Sequence, residues 1–449
     1  MTRDTAYAPF QAILRAFAQF DPQADSEASV QCLIARLTAL WRETGALAEQ
    51  VSEIAPFLAN LLGLRLPAGN VSMHLLAPEE VHLRTVNALV AFVCALGRRQ
   101  PTVLVMEDLH WSDVHSLNAV VRLAAHVAEL PLALVWVARP APALEQTWQI
   151  AAQECCPHHT LQLDLAELTD PDSRLMVEGT LRISPLPSSL AAAVITPAQG
   201  NPFFIEETLR TLIDDGAIVR QDSGWMIDAE KLRQVQRVQS GHVPFAVQSI
   251  LLSRIDREPP ATRNVLKLAA AIGQNVPLAL LDRLLPATAD LAAIVDALAS
   301  SGFLLTDPAH RPPQVSFRHA LQQAAAYQTI GVEERRILHR RIAQAIEAQW
   351  PNLLEEHVEQ LAYHYSRSDD PAKAVEYLTR AGERARSLFL NEVAIACFER
   401  ALASHLKLPA HATQLFPHPV LLASLGKMQH TVGDYRTAAL RCRGHLTKG

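Results

Sequence analysis

Two short runs without a polar side chain constrain this chain more than anything else in it. Val103–Met106 stops at Glu107-Asp108, and Leu132–Val137 runs through Ala138 into Arg139-Pro140. Both are too short for an ordinary helix and too uniformly apolar for strands with one wet face. One helical pattern, Val114–Leu130, lies between them, with Ser112 or Asp113 as its N-cap. Strand, helix and strand of this kind predict a βαβ unit in a parallel sheet covered on both faces, joined by a right-handed crossover. Leu161–Leu165 reads as a weaker third strand.

The rest of the chain is helical with two hairpins, so the predicted fold class is mostly α with a partial α/β region. Residues 5–100 carry amphipathic runs such as Ile13, Leu14, Phe17 and Phe20, then a long helix from Glu79 to Leu96. Helices are predicted at Asp172–Leu181, Ser188–Ile195 and Pro202–Gly216, followed by a hairpin of Ile218-Val219 with Trp225–Ile227. Four more, at Val243–Asp256, Pro260–Ile272, Leu278–Leu285 and Asp290–Ser300, precede a second hairpin of Phe303–Thr306 with Gln314–Phe317. Helices leading into a hairpin are the pattern of a winged helix. From 331 onward the pattern is helical throughout. Asp370–Leu378 and Gly433–Leu440 share a turn, an aromatic and small residues at matching offsets, which predicts tetratricopeptide-like helical hairpins, the last one incomplete. Four units follow: a core at 1–170, a helical lid with hairpin at 171–240, a winged-helix unit at 241–330 and repeats at 331–449.

The chain has 449 residues, ample for several domains, and 49% are hydrophobic, which excludes wholesale disorder. The longest unbroken apolar runs, Ala88–Leu96 and Leu130–Ala138, fall well short of the ~20 residues of a membrane span. No apolar signal region follows Met1. The expectation is a soluble cytoplasmic protein without membrane contact. Six scattered cysteines read as reduced core thiols. Residues 1–310 hold 22 Lys+Arg against 33 Asp+Glu, whereas 311–449 hold 18 against 13. A mild positive excess spread over helices is a solvated face more often than a nucleic-acid footprint, so nucleic acid is not the expected partner.

Acids at the carboxyl end of a parallel strand face the ligand crevice of such sheets. There Glu107 could hold Mg²⁺ and Asp108 could polarise a water. The same pair also reads as acids capping a strand that enters a loop. Cys155-Cys156-Pro157-His158-His159 crowds four metal-capable side chains into five residues, too closely to wrap one tetrahedral ion, and it reads as a loop.

The longer strings carry a family resemblance. VLVMEDLHWSD (103–113) resembles the Walker B segment of the AAA-like modules in signal-transduction ATPases with numerous domains, including cyclase-linked and helix-turn-helix-linked bacterial regulators. TAYAPFQAILRAF (5–17) is similar to the helical insert ahead of it, and LALVWVARP (132–140) to the next strand with its sensor arginine. GNPFFIEETLRTLIDDG (200–216) resembles the lid motif. The segments at 243–273 and 315–347 look like the opening of the winged helix and the stretch leading into the repeats. The resemblance implies that Glu107 takes the place of the Mg²⁺-binding acid and Asp108 that of the water-activating acid. It likewise matches Arg139 to the sensor arginine, Pro202 to the lid proline and His319 to a phosphate-sensing histidine. Read without it, Arg139 is an exposed strand-end arginine and His319 a satisfied helix-start histidine.

One departure outweighs these matches. The phosphate-binding pattern G-x-x-x-x-G-K-[ST] occurs nowhere. The single Gly-Lys pair, Gly426-Lys427, has leucine at position 421 and a helical setting. The family would use ATP and Mg²⁺ as a switch for an output domain. This chain is expected to be an N-terminally truncated piece that binds neither tightly and is inactive alone. The alternative is a full-length adaptor without a P-loop that binds a protein partner through residues 357–449.

Overall fold

The computed structural model describes residues 7–20, 24–45, 49–64, 76–221, 224–228, 230–232, 247–307, 313–388, 390–408 and 418–431. Four helices open the chain: α1 (Ala8–Ala18), α2 (Ser26–Glu43), α3 (Glu49–Leu62) and α4 (Pro78–Arg99). Asp25 caps α2 by accepting from the Ala28 N–H, and α3 continues through Pro56. Residues Glu80–Arg99 of α4 are long and apolar enough to cross a membrane by length and composition, yet 61% of that window is buried in the fold, against α3 and α5 (Val114–Ala124).

Strands β1 (Thr102–Met106) and β2 (Leu132–Trp136) pair in parallel, Val103 opposite Ala133 and Val105 opposite Val135. The connection runs through α5, whose N-cap Asp113 accepts from the His115 and Ser116 N–H groups. Leu104, Leu134 and Trp136 turn inward toward α5 and the turn at Ile150–Cys155. The opposite face is bare. Val103, Val105, Val135 and Val137 are between 41% and 65% exposed. The expectation of a sheet covered on both faces is therefore corrected: among the described residues no helix lies over this one. Leu161–Leu165 is corrected as well. It joins no ladder, and its three leucines are 72% to 94% exposed, because no strand in the described residues meets its backbone groups. Helix α6 (Pro142–Gln149), which the sequence pattern did not announce, fills part of the intervening stretch.

Three helices follow as predicted, α7 (Asp170–Leu181), α8 (Ser188–Ala198) and α9 (Pro202–Asp214), with the hairpin β3 (Ile218–Gln221) and β4 (Gly224–Ile227). They share their own core of Val177, Leu190, Val194, Ile205 and Leu209. Next come α10 (Val247–Arg257), α11 (Pro260–Ile272), β5 (Asn275–Pro277), α12 (Leu278–Leu284), α13 (Leu291–Ser300), β6 (Leu304–Asp307) and β7 (Gln314–Phe317). The predicted hairpin gains β5 as a third strand, giving the antiparallel order β5-β7-β6.

The remainder is helical: α14 (Ala320–Gln328), α15 (Val332–Gln349), α16 (Val358–Ser366), α17 (Pro371–Ser387), α18 (Asn391–His405) and α19 (His418–Thr431). Each helix from α15 to α19 packs on the next. Gly382 of α17 lets α18 approach, since a Cβ there would sit 2.8 Å from the Phe398 ring. Gly433–Leu440, the second copy of the repeat, lies outside the described residues. The array folds back on the N-terminal helices: the Arg384 guanidinium donates to the Leu61 carbonyl at 3.1 Å and Arg15 to the Glu356 carbonyl at 3.2 Å.

Candidate functional site

The carboxyl ends of β1 and β2 collect three of the five sequence-predicted residues. The Val137 N–H donates to the Met106 carbonyl and the Leu109 N–H to the Val137 carbonyl, so the chain turns away from both strands at one edge. Asp108 takes a left-handed conformation, φ 55°, to start the turn Leu109–Trp111. That conformation is sterically costly for a side chain with a Cβ. The turn carries His110, whose Nδ1 accepts the Arg139 N–H at 3.3 Å. Glu107, Asp108 and Arg139 are all exposed, and neither carboxylate forms an ion pair or hydrogen bond among the described residues. Among the described residues the edge is thus two unpaired acids beside an arginine.

Pro202 and His319 fall in a second group. Asn201 caps α9 by accepting from the Phe203 and Phe204 N–H groups, and Pro202 occupies the first turn, where its missing N–H costs nothing. The Phe203 ring lies edge-on to His319 at 4.5 Å. His319 Nε2 is buried without a hydrogen-bond partner, 3.9 Å from Glu206. Burial lowers the imidazole pKa, against the opposing pull of Glu206 and Glu207. Burial alone would raise the Glu206 carboxyl, but Arg210, Arg318 and His319 hold it below its ordinary value. No hydrogen bond, ion pair or ring contact among the described residues joins this group to Glu107, Asp108 or Arg139. Three residues meet at one edge and two meet elsewhere.

A magnesium nucleotide asks for more than these groups supply. Glu107 and Asp108 are consecutive, and no cluster of three or more His, Cys, Asp or Glu suited to a metal occurs among the described residues. Phosphate binding rests on converging backbone N–H groups and a lysine, and no glycine-rich loop of that kind stands beside β1 among the described residues. The residues present do not fit the group by themselves. The Cys155–His159 stretch is structural: the Cys156 thiol donates to the Ala151 carbonyl and closes the turn.

Sequence reading missed Glu207. It is fully buried in α9, pairs with Arg254 of α10 and accepts from the Gln322 amide of α14 at 3.1 Å. Arg254 also donates to the Ser301 carbonyl. The signal was available, since Glu207 stands three residues after Phe204, inside an apolar helical stripe. Also unforeseen was Tyr7, whose N–H donates to Asp113 at 3.0 Å and whose hydroxyl meets His82 at 2.7 Å.

No protein-family model matches the chain. It is 28% identical over 358 residues to an uncharacterized protein of Rhizobium meliloti, an alignment covering 79% of this chain and 32% of that protein. The chain thus spans about a third of the length of that relative. A crystal structure of a signal-transduction ATPase with numerous domains and a tetratricopeptide-repeat sensor, from Pyrococcus horikoshii, is similar at a TM-score of 0.35 and 9% identity, over 88% of this chain and 68% of that one.

Proposed function

We propose that this chain is part of a regulatory ATPase whose nucleotide-binding half is incomplete within these 449 residues. In this reading Glu107 and Asp108 are its Mg²⁺ and water-activating acids, and Arg139, Pro202 and His319 its nucleotide-sensing groups. The β5-β7-β6 unit is a winged helix, and the array from α15 onward is tetratricopeptide-like. The observation that carries the reading is the half-covered β1–β2 sheet. Its acids stand at the carboxyl edge, its second face is bare aliphatic surface, and the alternating leucines of 161–165 join no strand among the described residues. A further strand and helix, bearing the phosphate cradle, would bury that surface and complete the crevice.

Alone, the chain neither binds Mg-ATP tightly nor turns it over. Calorimetry with Mg-ATP should show no micromolar binding. Saturable turnover that disappears in Glu107→Ala would overturn the reading. The companion reading, an adaptor that captures a protein through residues 357–449, draws on the helices from α15 to α19, each packed on the next. Because Arg384 ties that array to α3, truncation would disturb the fold. Surface substitutions on α17 and α18 test it better, and unchanged capture of a partner by such variants would count against it.

A further inference from the structure

Where α14, α15 and α16 meet, two arginines lie over two tyrosine rings around one buried histidine. The Arg335 guanidinium carbon is 4.5 Å from the Tyr327 ring centre, and that of Arg367 is 3.8 Å from the Tyr363 ring centre. Both rings flank His339, each with its centre 5.9 Å away. The Tyr327 hydroxyl meets His339 Nε2 at 2.8 Å, and His339 Nδ1 meets His364 Nδ1 at 2.8 Å, so the floor of the cluster is locked by hydrogen bonds.

Neither arginine pairs with a carboxylate among the described residues. Arg336, Arg340, Arg380, Arg384 and Arg386 of the same array all do. Among the described residues Arg335 donates only to the Gln328 carbonyl at 3.1 Å, and its Nε is buried without a partner. Arg367 has only a 3.4 Å bond to the Tyr363 carbonyl. A guanidinium carries five N–H donors in a rigid fork, and stacking on a ring fixes its plane while leaving the in-plane donors to a ligand. Two such forks, held still and uncompensated, suit an anion with several oxygens.

We infer that Arg335 and Arg367 form a binding site for a phosphate-type oxyanion, free or esterified. Tyr327 and Tyr363 act as the platforms that hold the two guanidiniums in place. Burial and both arginines hold His339 neutral, so the positive charge of the cluster at neutral pH is that of the two guanidiniums. This site is separate from the candidate nucleotide edge and stands whether or not that edge binds a nucleotide.

The test is calorimetric titration of the full chain with inorganic phosphate and with phenyl phosphate, at ionic strength held constant with sodium chloride. Saturable binding is expected, weakened at least tenfold in Arg335→Gln and in Arg367→Gln. It should be unchanged in Arg336→Gln, which removes a neighbouring arginine already paired with Glu333. Arg367→Lys should fall between, because it keeps the charge and loses the planar stack. Circular dichroism and thermal melts check that each variant is folded. Tighter binding of phenyl phosphate would assign the site to phosphorylated partners, and equal binding to the free anion. Absence of saturable binding, or binding indifferent to both glutamine variants, would overturn the inference.

Discussion

The two larger sheets are finished in opposite ways. In β5-β7-β6 the inward residues Val276, Val315, Phe317 and Leu304 are buried, while the outward side carries Asn275, Gln314 and Ser316 with Leu305 exposed among them, an alternation that fits one wet face. In β1–β2 the outward residues are Val103, Val105, Ala133 and Val135, as apolar as the inward ones. The first sheet has a sequence written for water. The second has one written for burial and meets solvent instead. The contrast separates a unit closed by its own contacts from one whose second face is open among the described residues.

The closed side should be the more fragile to internal change. Glu207→Ala leaves the buried Arg254 with only the half-exposed Asp214, 3.6 Å from its Nε, as a carboxylate partner, at a cost of about 3–5 kcal/mol. Urea denaturation should show a loss larger than that of Gly382→Ala or Val315→Thr, with Glu207→Gln less severe than Glu207→Ala. A loss below about 1 kcal/mol would mean that Asp214 or water compensates Arg254 in place of Glu207.

Acid should act on the same side. His339 is pushed down to about 4 by burial first and by Arg367 and Arg335 after it, and His364 lies well below its usual value through burial, His339 and Arg367. The groups facing the pair are Tyr327, Tyr363, Arg335 and Arg367. In the unfolded chain each imidazole titrates near 6.5. The native pKa is the lower one, so the stabilisation is complete above about pH 6.5 and drains away as pH falls toward 4. His339→Gln/His364→Gln should remove about 1–3 kcal/mol of the stability difference between roughly pH 7.5 and 5.5. An unchanged pH slope in that variant would show that the pair is not held neutral.

Within the array, Gly382→Ala forces a methyl against the Phe398 ring and should cost about 1–3 kcal/mol by overpacking. Thermal melts of the full chain check it, and a neutral result would mean that α17 and α18 part easily.

Much of the fold was legible because its signals are local. Val103–Met106 and Leu132–Trp136 are uniform apolar runs, and the helices of 170–214 and 260–300 begin at identifiable caps such as Thr169, Asn201 and Asp290. What failed was non-local. Leu161–Leu165 has a strand's alternation, but a strand exists only where another backbone accepts its hydrogen bonds. Asn275–Pro277 is too short to announce itself and forms only because β7 runs alongside. At the candidate site, the abrupt end of an apolar run located Glu107 and Asp108 at a sheet edge. Nothing in a linear pattern could say that Pro202 and His319 would meet each other through Phe203 and stay apart from that edge.

The sharpest test of the contrast between the two sheets is also the smallest in energy. Val315 and Val105 are both strand valines, one 1% exposed and the other 54%. Val→Thr exchanges a methyl for a hydroxyl at nearly constant volume, so its cost reports whether the position is dry. Val315→Thr should lose about 1–3 kcal/mol, the usual penalty for a hydroxyl buried without a partner. Val105→Thr and Val135→Thr should each stay within about 0.5 kcal/mol of the parent, as exposed positions do. They should also raise the concentration at which the chain begins to aggregate, because they interrupt a flat apolar face with open edges. A penalty above about 1 kcal/mol at Val105 in dilute solution would mean that the face is already covered. A second measurement then separates a self-made cover from a dimer: a penalty that shrinks as the protein is diluted belongs to a second copy of the chain, and one that does not belongs to a segment of the chain itself.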